Sequence, residues 1–376
     1  MSEMKIGNSL LQFLKKEPVL MISAVLAAVS MAAVPPSAAY LAYIDVRVLC
    51  LLFCLMGVVA AFQECGLFTV LAQKLLAGEK SFRMVSIMLV MLPFFTSMLV
   101  TNDVALITFV PFAVLVLELA GRQKELIRVV VLQTVAANLG SMATPVGNPQ
   151  NLYLYARYHL GAGEFFGLLL PLVFVSFLLL FVAAAWGGKE SIQVSFPEKA
   201  VVIGRKRLLA FGGLFVLCLL SVFHVVHYLV LTAVVIVVLG AISPKLLRQV
   251  DYGLLITFVF FFIFSGNLGQ MPAVYDVLAS MLEKNTLLCS AAVSQLISNV
   301  PAAVLLSGLT EDWKGLLAGV DVGGLGTPVA SLASLISMKF YMRTENRNMS
   351  RYMLYFTVVN VVGLVILLPL AAGLIA

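Results

Sequence analysis

The sequence predicts an all-α polytopic membrane protein: two inverted repeats, about 9–11 transmembrane helices, two re-entrant hairpins and broken helices. Three observations lead there. First, the 376 residues are 62% hydrophobic and only 11% charged. Soluble proteins carry about 25% charged residues, so hydrocarbon rather than water must cover much of this surface. Second, apolar segments close to the roughly 20 residues that cross a bilayer recur along the whole chain. Third, polar breaks inside those segments recur in the same order in the two halves.

The first apolar segment, 18–33, follows Lys15, Lys16 and Glu17. Pro35-Pro36 stands where a signal peptide would carry small residues for cleavage, so the segment reads as a span. Further spans are expected at 46–63, 128–159 (interrupted), 165–186, 208–222, 228–242, 252–268, 316–338 and 352–375. Two apolar pairs, 84–119 and 287–309, each break at a polar tip: Thr101-Asn102-Asp103 and Ser298-Asn299-Val300-Pro301. The second pair is too short for two spans and reads as a re-entrant hairpin. The first reads the same way, with two full spans as its alternative.

The net charge of +6 does not point to nucleic acid, because the basic residues sit in short loops, the positive-inside pattern of a bacterial inner-membrane protein. Lys5, Lys15 and Lys16 precede the first span; Lys74, Lys80 and Arg83, then Arg122, Lys124 and Arg128, flank the first pair. The linker 187–207 holds Lys189, Lys199, Arg205, Lys206 and Arg207, and 339–351 holds Lys339, Arg343, Arg347 and Arg351. All five regions would be cytoplasmic. The segments beside the second pair are acidic or mixed (Asp276, Glu283, Lys284; Glu311, Asp312, Lys314) and would face outside. The N-terminus is then cytoplasmic, the C-terminus periplasmic or extracellular, and the hairpins enter from opposite sides.

The halves match in order. Asp45 and Asp251 each open an apolar run. Each run leads into an amphipathic stretch of the kind that lies in the membrane interface, Leu67, Val70, Leu71 and Leu75 in one, Val274, Val277, Leu278 and Met281 in the other. Then come the Asn-bearing tip, a Gly-rich break ending in Thr-Pro (140–145 and 323–328), and one long closing span. The expected organisation is a first repeat over 1–186, a cytoplasmic linker over 187–207, and a linking helix with the second repeat over 208–376. The interfacial stretches 66–80 and 273–284 would join a fixed scaffold to a moving transport unit.

Unpaired backbone groups are costly in lipid, so a break is tolerated only where it lines protein or a water-filled cavity. The densest polar cluster inside an apolar stretch runs from Asn138 to Asn151. Thr144-Pro145 and Asn148-Pro149 each remove a backbone donor there, and Gly140 and Gly147 permit unusual dihedrals. Ser141, Thr144, Asn148, Gln150 and Asn151 supply neutral donors and acceptors around this break; Gly326 and Thr327 lie in the second. Asn102 and Asn299, flanked by Thr101 and Ser298, offer an amide to either a cation or an anion. Asp103 and Asp321 are candidates for proton or cation coupling, with an N-cap for the returning helix as the structural alternative for Asp103. Glu64, Arg157, His224 and His227 read as interfacial. Cys50, Cys54, Cys65, Cys218 and Cys289 read as small apolar packing residues, with no metal set around them. No phosphate-binding loop of an ATP-driven pump occurs.

Thr-Asn-Asp-Val-Ala-Leu (101–106), Thr-Pro-Val-Gly-Asn-Pro-Gln-Asn (144–151), Ser-Asn-Val-Pro (298–301) and Gly-Thr-Pro-Val-Ala-Ser-Leu-Ala (326–333) resemble signatures of the ion transporter superfamily. The nearest group is the small citrate-transporter-domain permeases related to arsenite permeases and NhaD-type Na⁺/H⁺ antiporters. The likeness covers nearly the whole chain. It implies the two-hairpin fold, a site between hairpin tips and broken helices, a homodimer and elevator-type alternating access. The dicarboxylate branch carries Ser-Asn-Thr at both tips; here both asparagines carry over and the following threonine does not.

Two functions follow. The first is transport of a small inorganic or organic anion coupled to H⁺ or Na⁺; the alternative is Na⁺/H⁺ antiport through Asp103 and Asp321. A channel or membrane-embedded enzyme ranks third, since no triad, metal cluster or selectivity-filter repeat is visible. The expected partners are the small ion substrate, membrane lipids and a second copy of the chain, not nucleic acid. No cofactor is expected beyond Na⁺ as a coupling ion.

Overall fold

Backbone polarity has to be satisfied within each segment in hydrocarbon, and the described chain is accordingly mostly helix. The structure, a computed structural model, describes residues 18–38, 40–186, 188, 190–194, 196, 199–345 and 347–376. Lys5, Lys15, Lys16 and Lys189, which entered the charge argument, lie outside the described residues, as does the side chain of Val274.

The first half runs α1 (Pro18–Ala33), α2 (Tyr40–Tyr43), α3 (Val46–Glu64), α4 (Leu67–Leu76), strand β1 (Gly78–Ser81), α5 (Phe82–Thr96), α6 (Asn102–Leu119), α7 (Leu126–Ser141), α8 (Pro149–Arg157) and α9 (Ala162–Ala185). Strand β2 (Ser191–Val194) and α10 (Arg205–Val222) follow. The second half runs α11 (Tyr228–Ile242), α12 (Lys245–Arg248), α13 (Tyr252–Leu268), α14 (Pro272–Lys284), α15 (Thr286–Ile297), α16 (Asn299–Leu306), α17 (Trp313–Val322), α18 (Leu332–Tyr341) and α19 (Met349–Ile375). Among the described residues four helices, α3, α6, α9 and α19, are long and apolar enough to cross a membrane. Together with the shorter apolar helices they make this a multi-pass membrane protein.

Local chemistry sets the boundaries. Asp45 and Asp251 cap α3 and α13 alike, accepting the Val48 N–H at 3.0 Å and the Leu254 N–H at 2.9 Å. Ser81 caps α5, Asn148 caps α8 and Asn285 caps α15 through the same kind of bond.

The helices sort into two groups. Around α3 gather α10, α11 and α13, with α1 laid along α13. The other group contains α5–α9 and α15–α19, so both polar tips and both breaks belong to it. Within that group each broken helix sits very close to its hairpin. A Cβ added to Gly140 would run into the Phe94 carbonyl of α5, and one added to Gly323 would come 2.7 Å from the Ala291 Cα of α15. Only glycine allows that approach.

The linker proves more structured than a loop. β2 pairs antiparallel with β1, Gly78 opposite Val194 and Ser81 opposite Ser191. Glu190 forms an ion pair with Arg122, and its carbonyl accepts the Phe82 N–H at 2.9 Å. Phe196 stacks on Phe112 with centroids 5.4 Å apart, and the Ile203 N–H donates to the Cys65 carbonyl at 3.1 Å. The linker therefore straps α4 to the base of the first hairpin. Sequence patterning missed the strands because each has only four residues and β1, Gly-Glu-Lys-Ser, has no apolar residue to alternate.

Candidate functional site

The two tips are held against the two breaks by matching backbone bonds. The Asn102 N–H donates to the Gly147 carbonyl at 3.2 Å, and the Asn299 N–H to the Ala330 carbonyl at 3.0 Å. Each asparagine then uses its own Oδ1 to accept the next N–H, from Asp103 at 3.0 Å and from Val300 at 2.9 Å. The two Thr-Pro threonines also correspond. The Thr144 hydroxyl donates to the Met98 carbonyl, and the Thr327 hydroxyl to the Gln295 carbonyl at 3.0 Å.

The halves meet at Asn138 and Asp321, which occupy the same place relative to Thr144 and Thr327. Asn138 Oδ1 accepts from Asn102 Nδ2 and from Ser331 Oγ, both at 3.0 Å. Asp321 Oδ1 accepts from Gln150 Nε2 at 3.2 Å and Asn148 Nδ2 at 3.5 Å. Ser331 holds in the second break the place of Asn148 in the first, so these bonds cross between the halves in both directions. All six side chains are buried.

Four helices begin at this junction. A cavity of about 10 Å³ is lined by Asn102 and Asp103 of α6, Pro149 and Gln150 of α8, Asn299 and Val300 of α16, and Ser331 and Leu332 of α18. That volume is roughly room for one water. Two larger spaces are lined by residues of the same helices or their neighbours. One of about 390 Å³ is lined by Thr101, Asp103, Asn148, Asp251 and Gln63; one of about 490 Å³ by Asp45, Tyr153, Arg157 and Ser307.

The remaining sequence candidates divide. Ser141 and Asn151 brace the first break: Ser141 Oγ accepts from Asn148 Nδ2 at 3.0 Å, and Asn151 Nδ2 donates to the Thr144 carbonyl at 3.4 Å. Ser298 is buried at the second tip with φ 76°, a left-handed conformation costly for a residue other than glycine. Gly326 and Thr327 lie toward the surface of the second break, where the Gly326 N–H donates to Asn360 Oδ1 at 3.2 Å. Glu64, His224 and His227 stand away from the junction; Glu64 accepts from Ser243 Oγ at 3.3 Å. Among the described residues no group of three or more His, Cys, Asp or Glu could hold a metal.

Ser331 and Gln295 escaped the sequence reading. Gln295 is the internal brace of the second half: its Nε2 donates to the Gly323 and Leu325 carbonyls at 2.7 and 2.9 Å, and its Oε1 accepts the Thr327 N–H at 2.8 Å. Aligning the two Thr-Pro-Val stretches would have found Ser331 opposite Asn148. No comparable signal marks Gln295.

Half-helices whose polar ends meet inside an apolar bundle are the plan of a membrane transporter. A family model described as "Citrate transporter" matches residues 11–312, and the chain belongs to that family. It is 29% identical over 330 residues to the uncharacterized transporter MJ0456 of Methanocaldococcus jannaschii, covering 85% of this chain and 87% of the relative. It is also 31% identical over 301 residues to the inner membrane protein YbiR of Escherichia coli K12, covering 77% and 78%.

Proposed function

We propose that the protein is a secondary active transporter that moves a small inorganic or organic anion, coupled to H⁺ or Na⁺, by elevator-type alternating access. The observation that carries this reading is the convergence of the N-termini of α6, α8, α16 and α18 on one small cavity. Each terminus carries about half a positive charge, so the junction attracts an anion. Asn299 adds an amide nitrogen that no described acceptor takes up, while α5, α7, α15 and α17 end nearby with carbonyls suited to a cation. The family's description makes a carboxylate such as citrate one of the anions to test.

The grouping of helices supports the elevator. The scaffold would be α1, α3, α10, α11 and α13; the moving unit would carry both tips and both breaks; α4 and α14 would connect them. The spaces of about 390 and 490 Å³ would then be the approaches from the two sides. In this reading the halves are inverted repeats in a bacterial inner membrane, with the N-terminus inside, and the transporter works as a homodimer.

Thermal unfolding of the purified protein across Na⁺, Li⁺, pH, arsenite, sulfate, phosphate and di- and tricarboxylates tests it, because a ligand that binds the folded state raises the melting temperature. A rise with one anion, lost in Asn299→Ala, is expected. One specific observation favours a second reading, Na⁺/H⁺ antiport: Asp103 and Asp251 line the same cavity. A rise with Na⁺ or pH alone, lost in Asp103→Asn, would replace anion transport by antiport.

A further inference from the structure

We propose that Asp321 is a proton-binding site, the acidic counterpart in the second half of Asn138 in the first. Its use in coupling rests on the transport reading; its existence does not. The crossed bonds fix which atoms correspond. Asn148 and Ser331 are counterparts, and each donates to the Oδ1 of the residue across from it, Asp321 and Asn138 respectively. Asp321 Oδ2 therefore takes the part of Asn138 Nδ2. That nitrogen is a donor, reaching the Gly324 carbonyl at 3.5 Å. An oxygen can fill a donor's part only if it carries hydrogen, and a protonated carboxyl is the near-isostere of the amide.

The surroundings agree. Asp321 is 2% exposed, and its Oδ2 is buried without a partner. Asn151 stands beside the carboxyl, and its Oδ1 is likewise buried without a donor. A hydrogen on the acid would bring a donor to a spot where two buried oxygens have none. An ionised carboxylate here would be a buried charge needing a counter-charge. Neither ion pair among the described residues involves Asp321. Of the elements packed on α17, α16 has no titratable side chain and α15 only Cys289. The others bring Arg128 (α7), Tyr153, Tyr155 and Arg157 (α8), Glu164 (α9), and Arg351, Tyr352 and Tyr355 (α19). The arginines all sit at helix ends, away from the junction.

A metal cation fits less well. Asp321 Oδ1 already faces two N–H donors, and the unpartnered oxygens are too few to replace a hydration shell of about six. A proton needs only one oxygen to bind and one to point at. It adds to Oδ2 as an O–H bond, neutralising the carboxylate, and leaves to water when the junction opens.

Infrared spectra of the purified full-length protein at about pH 7 test the proposal through the C=O stretch of a protonated carboxyl. The wild type should show the band, and Asp321→Asn should reduce it. Asn138 already places an amide in the matching position, and a melting curve verifies that the variant folds. A wild-type spectrum without the band overturns the proposal with no variant needed. So does a band of full intensity in folded Asp321→Asn. If the band behaves as expected but no anion shifts the melting temperature, the transport reading fails and the proton site stands. A shift with an anion and no band gives the reverse.

Discussion

In the first half, the turn 97–101 joins α5 to α6, and the side chain of Asn102 is committed to Asn138. In the second half Ser298 alone joins α15 to α16, at φ 76°, and the Asn299 amide nitrogen has no described acceptor. The breaks differ in the same sense. The first is buried almost throughout and braced by Ser141, Asn148 and Asn151, whereas the second exposes Thr327 and leans on Gln295. One duplicated plan has thus become a braced half and a half with spare hydrogen-bonding capacity. A junction built from such halves keeps its shape through the first and keeps its free groups in the second.

The largest expected effect tests what the halves still share. Gly140→Ala and Gly323→Ala each push a methyl group into the backbone of the neighbouring hairpin arm and should cost about 1–3 kcal/mol or more, read as a lower melting temperature. A loss confined to Gly140→Ala would mean that the second hairpin moves aside where the first does not.

A smaller difference should separate the asparagines. Asn102→Ala removes one of the two donors to buried Asn138 Oδ1 and should cost about 1–2 kcal/mol. Asn299→Ala loses only bonds within its own tip, from the Val300 N–H and, at 3.5 Å, the Ser298 hydroxyl, and should cost about half as much, while removing ligand stabilisation. Equal losses in thermal unfolding would erase the distinction between braced and free tips.

The smallest effect lies at the seam between the halves. His224, after α10, contacts Arg47 and stacks on Tyr155 of α8 with centroids 5.8 Å apart. Partial burial lowers its pKa from the ordinary histidine value, and Arg47 and His159 add to this. Protonation is then resisted in the folded state and not in the unfolded one, so this contribution is present above the ordinary histidine range and lost as pH falls through it. Melting curves between pH 5 and 8 should show that slope in the wild type and a flatter one in His224→Gln. The ring is largely exposed, so the change should be slight.

Element boundaries were legible because lipid imposes them. The tip at Asn102, the breaks at Thr144-Pro145 and Thr327-Pro328, and the separate helices α4 and α14 all follow from apolar runs interrupted by residues that cannot continue a helix. Asn102, Asn138, Asn148, Gln150, Asn299 and Asp321 meet at one junction, and each was visible as a polar residue at membrane depth. Ser331 and Gln295 were hidden, since a serine or glutamine near a helix end is unremarkable until its partner across the chain is known. The ribbon of β1 and β2 was hidden for a related reason: its stability comes from pairing across more than a hundred residues, which no local pattern encodes.

The closing helix α19 has 27 residues, about 40 Å of helix, against roughly 30 Å of hydrocarbon. It is mostly exposed along that length, so it must tilt or draw the bilayer thicker around itself. It also carries Asn360, the acceptor for the Gly326 N–H in the second break. The corresponding place on α9, the closing helix of the first half, is held by Phe177, which packs on Phe94 and Phe95 and has no amide to offer. Lipid thickness therefore has a hydrogen-bonded route to the second break, where α9 offers the first only apolar packing, and the membrane itself becomes a setting on one side of the junction.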